Sequence, residues 1–184
     1  DVLHAAGVPV EVVPGISSAQ AAHAALAMPM TERGRRRALV LATPQVHASD
    51  QRNTAALPLP MMPPPMDLRQ AAAPVPPSRR KVLSAAEIVA DPELRRWAEA
   101  IVAAGSGTLY MAATVSDQVR NTLLALGMPP ETPTLWMVDV SLPEQAMVPG
   151  VLGTLQPPPA ALKGKPALLL VGVVPPDVRR TEAP

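Results

Sequence analysis

The chain contains no cysteine and no phenylalanine, and only two tryptophans and one tyrosine in 184 residues. Without thiols there is neither a disulfide framework nor a thiolate metal site. So few aromatic rings leave little for bases to stack on, and a formal net charge of +1 makes no field that would gather nucleic acid or membrane. The longest apolar run, Ala167 to Val174, is far short of the ~20 residues of a membrane helix. His4, His23 and His47 lack the close spacing of a metal pair and read as surface or helix histidines, so no metal is expected. No secretory leader is visible, although the chain starts at Asp1 rather than Met. The expectation is a cytoplasmic protein that binds neither nucleic acid nor membrane.

What the chain does have is apolar surface and proline. Hydrophobic residues make up 48%, enough for one ordinary domain or a domain and part of another. Twenty-five prolines stand against ten glycines, and nine of the prolines fall between Pro44 and Pro77, including the stretch PLPMMPPPM. That spacing forbids helices and ladders, so 44–80 reads as a long loop or insertion. A polyproline ligand for another domain is the functional alternative.

Periodicity supplies the rest. Asp1 to Ala6 reads as the tail of a helix closed by Gly7. Val8 to Val13 alternates and is rich in β-branched residues, which predicts a strand. Ser17 and Gln20 form a Ser-x-x-Gln capping box ahead of an alanine-rich helix reaching about Ala27, and Pro29 stops it. After the basic stretch ERGRRR, the run ALVLAT from Ala38 predicts a buried strand. Val82 to Ala104 predicts two short helices or one broken around Pro92. TLYMAAT (108–114) predicts a strand and VSDQVRNTLLAL (115–126) a helix, with Thr114 and Asp117 as a second capping pattern. PTLWMVDVS (133–141), a bent AMVPGVLGTL (146–155) and PALLLVGVV (166–174) complete the strands, the last buried on both faces. Strand, helix, strand and further strands make an α/β protein with a mixed sheet.

The hinge VPGISSAQAA, where two serines sit between strand and helix signals, admits two answers. Ser17 caps the helix and Ser18 is merely small, or a ligand sits where the turn exposes its backbone.

AGVPVEVVPGISSAQAA resembles the segment before the last helix of the first domain in the tetrapyrrole methylase family, with uroporphyrinogen-III C-methyltransferases nearest. Later pieces keep the family's order: MPMTERG, GTLYMAAT, LGMPPETPTLWMVDVSLPEQAMVPGVLGTL and KPALLLVGVV. The resemblance implies a tetrapyrrole methylase-like α/β fold, the end of a first α/β domain plus a complete second α/β domain with a mixed sheet. Residues 1–30 would be the last strand and helix of the first domain. Residues 31–178 would be the second, carrying the insertion 44–80, and 179–184 a tail. The upstream Gly-Pro-Gly-Asp turn and Gly-Asp-Pro loop of the family are missing, so the expectation is a partial enzyme without turnover of its own.

The resemblance also implies a cofactor, S-adenosylmethionine, held between two domains, a tetrapyrrole substrate and a homodimer. Ser17, Ser18, Met111 and Val140 match positions that contact the cofactor. Arg33 and Arg35 belong to a basic run that reads as a solvated loop, or as forks for a carboxylate-rich macrocycle. No catalytic residue is assigned, because methyl transfer from a sulfonium calls mainly for positioning. Several positions depart from the family pattern. Val140 stands where a small residue flanks the adenine. Val138 and Asp139 replace Glu-Asn, Ala112 replaces Gly, Glu32 replaces His, and Thr43, Pro44 and Gln45 replace Thr-Gly-His. They keep open a second reading, a non-catalytic structural or dimerisation module.

Overall fold

Strand β5 (Ala167–Val171) runs through the middle of the molecule and is buried on both faces, as an unbroken ALLLV run demands. The computed structural model describes residues 7–9, 11, 13–34, 36–45 and 83–173. In chain order the elements are α1 (Ser18–Ala25), β1 (Val40–Ala42), α2 (Ala85–Ala90), α3 (Pro92–Ala104) and β2 (Gly107–Tyr110). α4 (Ser116–Ala125), β3 (Pro133–Val138), β4 (Ala146–Val151) and β5 follow. The five strands form one sheet in the order β1-β2-β5-β3-β4. β1 pairs parallel with β2 and every other pairing is antiparallel, so the sheet is mixed, as the sequence predicts.

The period-2 side-chain alternation of β5 sends Leu169 and Val171 to one face and Leu168 and Leu170 to the other. The first face, with Leu109, Trp136 and Val138, is covered by α3 and α4 through Ala98, Ile101, Val119 and Leu123. The second, with Leu135 and Met137, is covered by Ala22, Leu26 and Met28 of α1 and the turn after it. α1 is thus held to the sheet by its own narrow apolar edge, and that contact places its N-terminus.

Both α1 and α2 begin with complete capping boxes, Ser17 with Gln20 and Ser84 with Glu87. Pro92 does break the 82–104 region in two: Asp91 caps α3 through its side chain and Pro92 takes the first helical position, where its missing N–H costs nothing. α1 ends in a Schellman turn, in which Met28 N donates to His23 O at 2.9 Å and Ala27 N to Ala24 O at 2.9 Å. The residue carrying the left-handed conformation is Ala27, at φ 49°. An alanine there is strained relative to glycine. Ala27→Gly should raise stability by about 1 kcal/mol, read as a higher urea midpoint at unchanged slope.

Five expectations are corrected. The described residues of Val8–Val13 are not a strand: Val13 is exposed, and no partner strand lies beside this segment among the described residues. Alternation predicts a strand only where a neighbour takes the backbone hydrogen bonds. ALVLAT yields the three-residue β1 at a sheet edge, half exposed rather than buried. β2 stops at Tyr110 because Met111 turns left-handed and a 3₁₀ turn, Ala112–Val115, leads into α4. The Thr114–Asp117 cap does not form: the side chain of Thr114 accepts from Gln45 and Asp117 pairs with Arg120. Finally, Arg36 of the basic run is buried, its Nε donating to Met30 O at 2.9 Å and its guanidinium also bonding Pro29 O. The helix tail at 1–6, nearly all of the proline-rich 44–80 segment and the tail from 179 lie outside the described residues.

Candidate functional site

β2 and β3 flank β5 and both end in left-handed turns at the same end of the sheet, and the hollow between them is the candidate site. Met111 follows β2 at φ 56°, Asp139 follows β3 at φ 51°, and Ser141 comes two residues later at φ 70°. Three of the four non-glycine residues with positive φ among the described residues therefore cluster here. Strain of this kind, of order 1–3 kcal/mol per residue, persists where the surroundings over-determine it and concentrates at functional sites. Between the turns lies a cleft of ≈ 560 Å³. Tyr110, Met111, Met137, Val140 and Leu168 give it apolar walls.

Each turn is tethered by a neighbouring side chain. Gln45, just past β1, donates from Nε2 to Met111 O at 3.3 Å and to the Thr114 hydroxyl at 3.0 Å. Gln118 Nε2 reaches back to Pro44 O at 3.1 Å, fixing the same segment from α4. On the other side Asp139 N donates to Pro166 O at 3.0 Å, while Lys165 Nζ donates to Asp139 Oδ2 at 2.6 Å. The bond to Asp139 raises the Lys165 pKa above its usual value, so the ammonium stays charged across the neutral range. Asp139 and Lys165 are the two charged residues among those lining the cleft.

Of the residues the sequence singles out, Ser18, Met111 and Val140 line this one cleft although they are far apart along the chain. Ser18 and Val140 also border an adjoining hollow of ≈ 620 Å³ against Ala21, Ala24 and Ala25 of α1. Ser17 stands one residue back, its hydroxyl accepting from Gln20 N while its own N donates to Gln20 Oε1. It is the cap, and its neighbour faces the cleft. α1 carries no acidic residue in its first turn, which leaves the positive dipole end there without a negative charge beside it. Arg33 is exposed on the turn closed by the Glu32–Arg36 bridge and lines neither hollow, and Arg35 lies outside the described residues. No cluster of three or more His, Asp or Glu that could hold a metal occurs among the described residues.

Sequence reasoning missed the roles of Asp139, Lys165 and Gln45. Asp139 directly after an apolar strand was a usable signal, since a carboxylate at a strand end in a left-handed turn needs a partner. For Gln45 and Lys165 nothing local marked them.

Residues 1–72 match the family described as Tetrapyrrole (Corrin/Porphyrin) Methylases. No curated protein sequence is significantly similar. Among solved structures, uroporphyrin-III C-methyl transferase from Thermus thermophilus complexed with S-adenyl homocysteine matches with a TM-score of 0.57 at 22% identity, over 97% of this chain and 57% of that one. Another structure of uroporphyrin-III-C-methyltransferase from Thermus thermophilus matches at 28% identity and TM-score 0.52, over 92% of this chain and 54% of that one. The cobalamin biosynthetic enzyme cobalt precorrin-4 methyltransferase, CbiF, matches at 18% identity and TM-score 0.57, over 93% and 55%. The chain thus spans somewhat more than half the length of these structures.

Proposed function

We propose that the chain, whose first 72 residues match the tetrapyrrole methylase family and whose fold resembles that of uroporphyrin-III C-methyl transferase, forms one wall of an S-adenosylmethionine-dependent C-methyltransferase acting on uroporphyrinogen III, working as a homodimer. The observation that carries this reading is the meeting of Ser18, Met111 and Val140 on one cleft of ≈ 560 Å³. The cleft also suits the cofactor: its apolar walls match an adenine ring, and polar groups stand at its rim.

The bound cofactor supplies an electrophilic methyl group on a sulfonium. The chain's own residues bind and orient. The N-terminus of α1, with Ser18 on the cleft, favours a carboxylate such as that of a methionine moiety. Met111, held out of the core by its left-handed backbone and 56% exposed, offers its thioether as one side of an adenine slot. Val140 supplies the other side. Displacement at a methyl carbon gains mainly from fixed geometry, so the tethers from Gln45 and Lys165 serve the chemistry by holding the two turns.

Two measurements test the reading together. Val140→Ala removes methyls that crowd the ring, and relief of ~1 kcal/mol of overpacking should tighten S-adenosylhomocysteine binding about fivefold in calorimetry. Saturating S-adenosylhomocysteine should also slow peroxide oxidation of Met111, mapped by mass spectrometry, because the thioether becomes covered. Unchanged affinity with unchanged oxidation would move the cofactor elsewhere and favour the structural-module reading.

A further inference from the structure

Holding the turn after β3 leaves half of the Asp139 carboxylate unused. The residue is only 6% exposed, yet it lines the cleft and sits on a left-handed backbone directly after β3. Leaving an ion there is costly unless it is paired, and Lys165 pairs it at 2.6 Å through Oδ2 alone. The other oxygen has no hydrogen-bond partner among the described residues and, unlike the ring nitrogens of His23, is not sealed from solvent. An acceptor fixed at one oxygen and open at the other, at the edge of an apolar slot, is suited to neutral hydroxyl donors. A cation would compete with Lys165, and an anion would be repelled.

We propose that Asp139 is a ribose-recognition residue, accepting the vicinal hydroxyls of a nucleoside whose base lies in the slot between Met111 and Val140, with Lys165 as the positioning residue that holds one carboxylate oxygen and so aims the other. The inference rests on the S-adenosylmethionine reading of this cleft and adds which end of the ligand goes where. A carboxylate that accepts a sugar hydroxyl discriminates strongly against the deoxy analogue, because the buried acceptor is then left without its donor. Backbone tethering is independent of this role, since Asp139 N is already committed to Pro166 O.

The test uses the chain labelled with ¹³C-methyl methionine, so that Met111 and Met137, both on the cleft, report occupancy even when binding is weak. Adenosine and 2′,3′-dideoxyadenosine are titrated in parallel, with S-adenosylhomocysteine as the reference ligand. The wild-type chain should prefer adenosine about tenfold, the size of a charge-assisted hydrogen bond. Asp139→Asn keeps a residue that tolerates the left-handed turn and one acceptor oxygen, and should shrink the preference to about threefold. Asp139→Gly keeps the backbone without any acceptor and should abolish the preference. The signals of the remaining methionines confirm that each variant is folded. Equal affinity of the wild-type chain for the two nucleosides, or a preference that survives in Asp139→Gly, overturns the ribose assignment while leaving the cofactor reading intact. Met111 and Met137 signals indifferent to S-adenosylhomocysteine overturn the cofactor reading, and the ribose assignment with it.

Discussion

Replacing Gly172 with alanine should cost about 3–5 kcal/mol and lower the thermal midpoint by roughly 10 °C. Gly172 follows β5 at φ 70°, and a Cβ there would lie 2.0 Å from the carbonyl oxygen of Gly105, the residue that closes α3. Two penalties add. The left-handed backbone disfavours any side chain by ~1–2 kcal/mol, and the clash is with backbone, which has no rotamer by which to yield. The Gly172 N–H also donates to Pro133 O at 2.8 Å, so the turn cannot swing aside without loosening the start of β3. A control separates the terms: Gly164, at φ 85°, has open space where its Cβ would stand, with no atom within 4 Å, and should lose only about 1 kcal/mol on the same substitution. Urea unfolding of both variants followed by circular dichroism makes the comparison. A loss at Gly172 no larger than that at Gly164 would mean that the α3 and β5 turns are not in close approach. Because natural domains are stable by only ~5–15 kcal/mol, the substitution removes a large share of the total, although it acts at the end of the sheet opposite the cleft, where Val171 pairs with Gly107 and Thr134.

How much of this was legible in the sequence varies with the range of the interaction that decides it. The Ser17–Gln20 box, the break at Pro92 and the doubly buried β5 depend on residues within a turn or two, and all stand in the structure as the sequence implies. Val8–Val13 carries an equally good local pattern, yet its described residues form no strand, because a strand needs a neighbour that local sequence does not specify. Arg36 shows the same limit for charge. Within a run of arginines it reads as solvated, yet the carbonyls of Pro29 and Met30, in the segment after α1, capture its guanidinium and bury it. For the cleft, the family resemblance pointed to Ser18, Met111 and Val140, whose convergence is a property of the sheet order. The tethers Gln45 to Met111 and Lys165 to Asp139 span 66 and 26 residues, and neither Gln45 nor Lys165 is unusual in its own neighbourhood.

Acidification should loosen the cleft from the side of α1, through His23. The imidazole is buried to 1% exposure on the helix that carries Ser18, and neither ring nitrogen meets a hydrogen-bond partner among the described residues. Burial, then the neighbouring Arg36 guanidinium, push the His23 pKa below its ordinary 6.5; the nearby Pro29 carbonyl works the other way and is outweighed. In the unfolded chain the ring takes a proton near pH 6.5, while in the folded chain it stays neutral until the pH is lower. The unfolded state therefore binds more protons in that window, and stability rises with pH through it. As the pH falls below about 6.5, the chain should lose up to about 1.4 kcal/mol per pH unit until the folded ring also protonates. Protonation then sets a second cation beside Arg36, which cannot give up its own charge, against the contact that holds α1 to Leu135, Met137 and Leu170. Undocking α1 would move Ser18 away from Met111 and Val140, so ligand affinity should fall over the same range. His23→Leu supplies an apolar side chain of similar bulk with no nitrogen to satisfy, and should flatten the stability profile between pH 5 and 6.5 at little cost near pH 7.5. Parallel unfolding titrations of the two proteins across this range decide it: equal slopes would assign the acid sensitivity to other groups and leave α1 docked throughout.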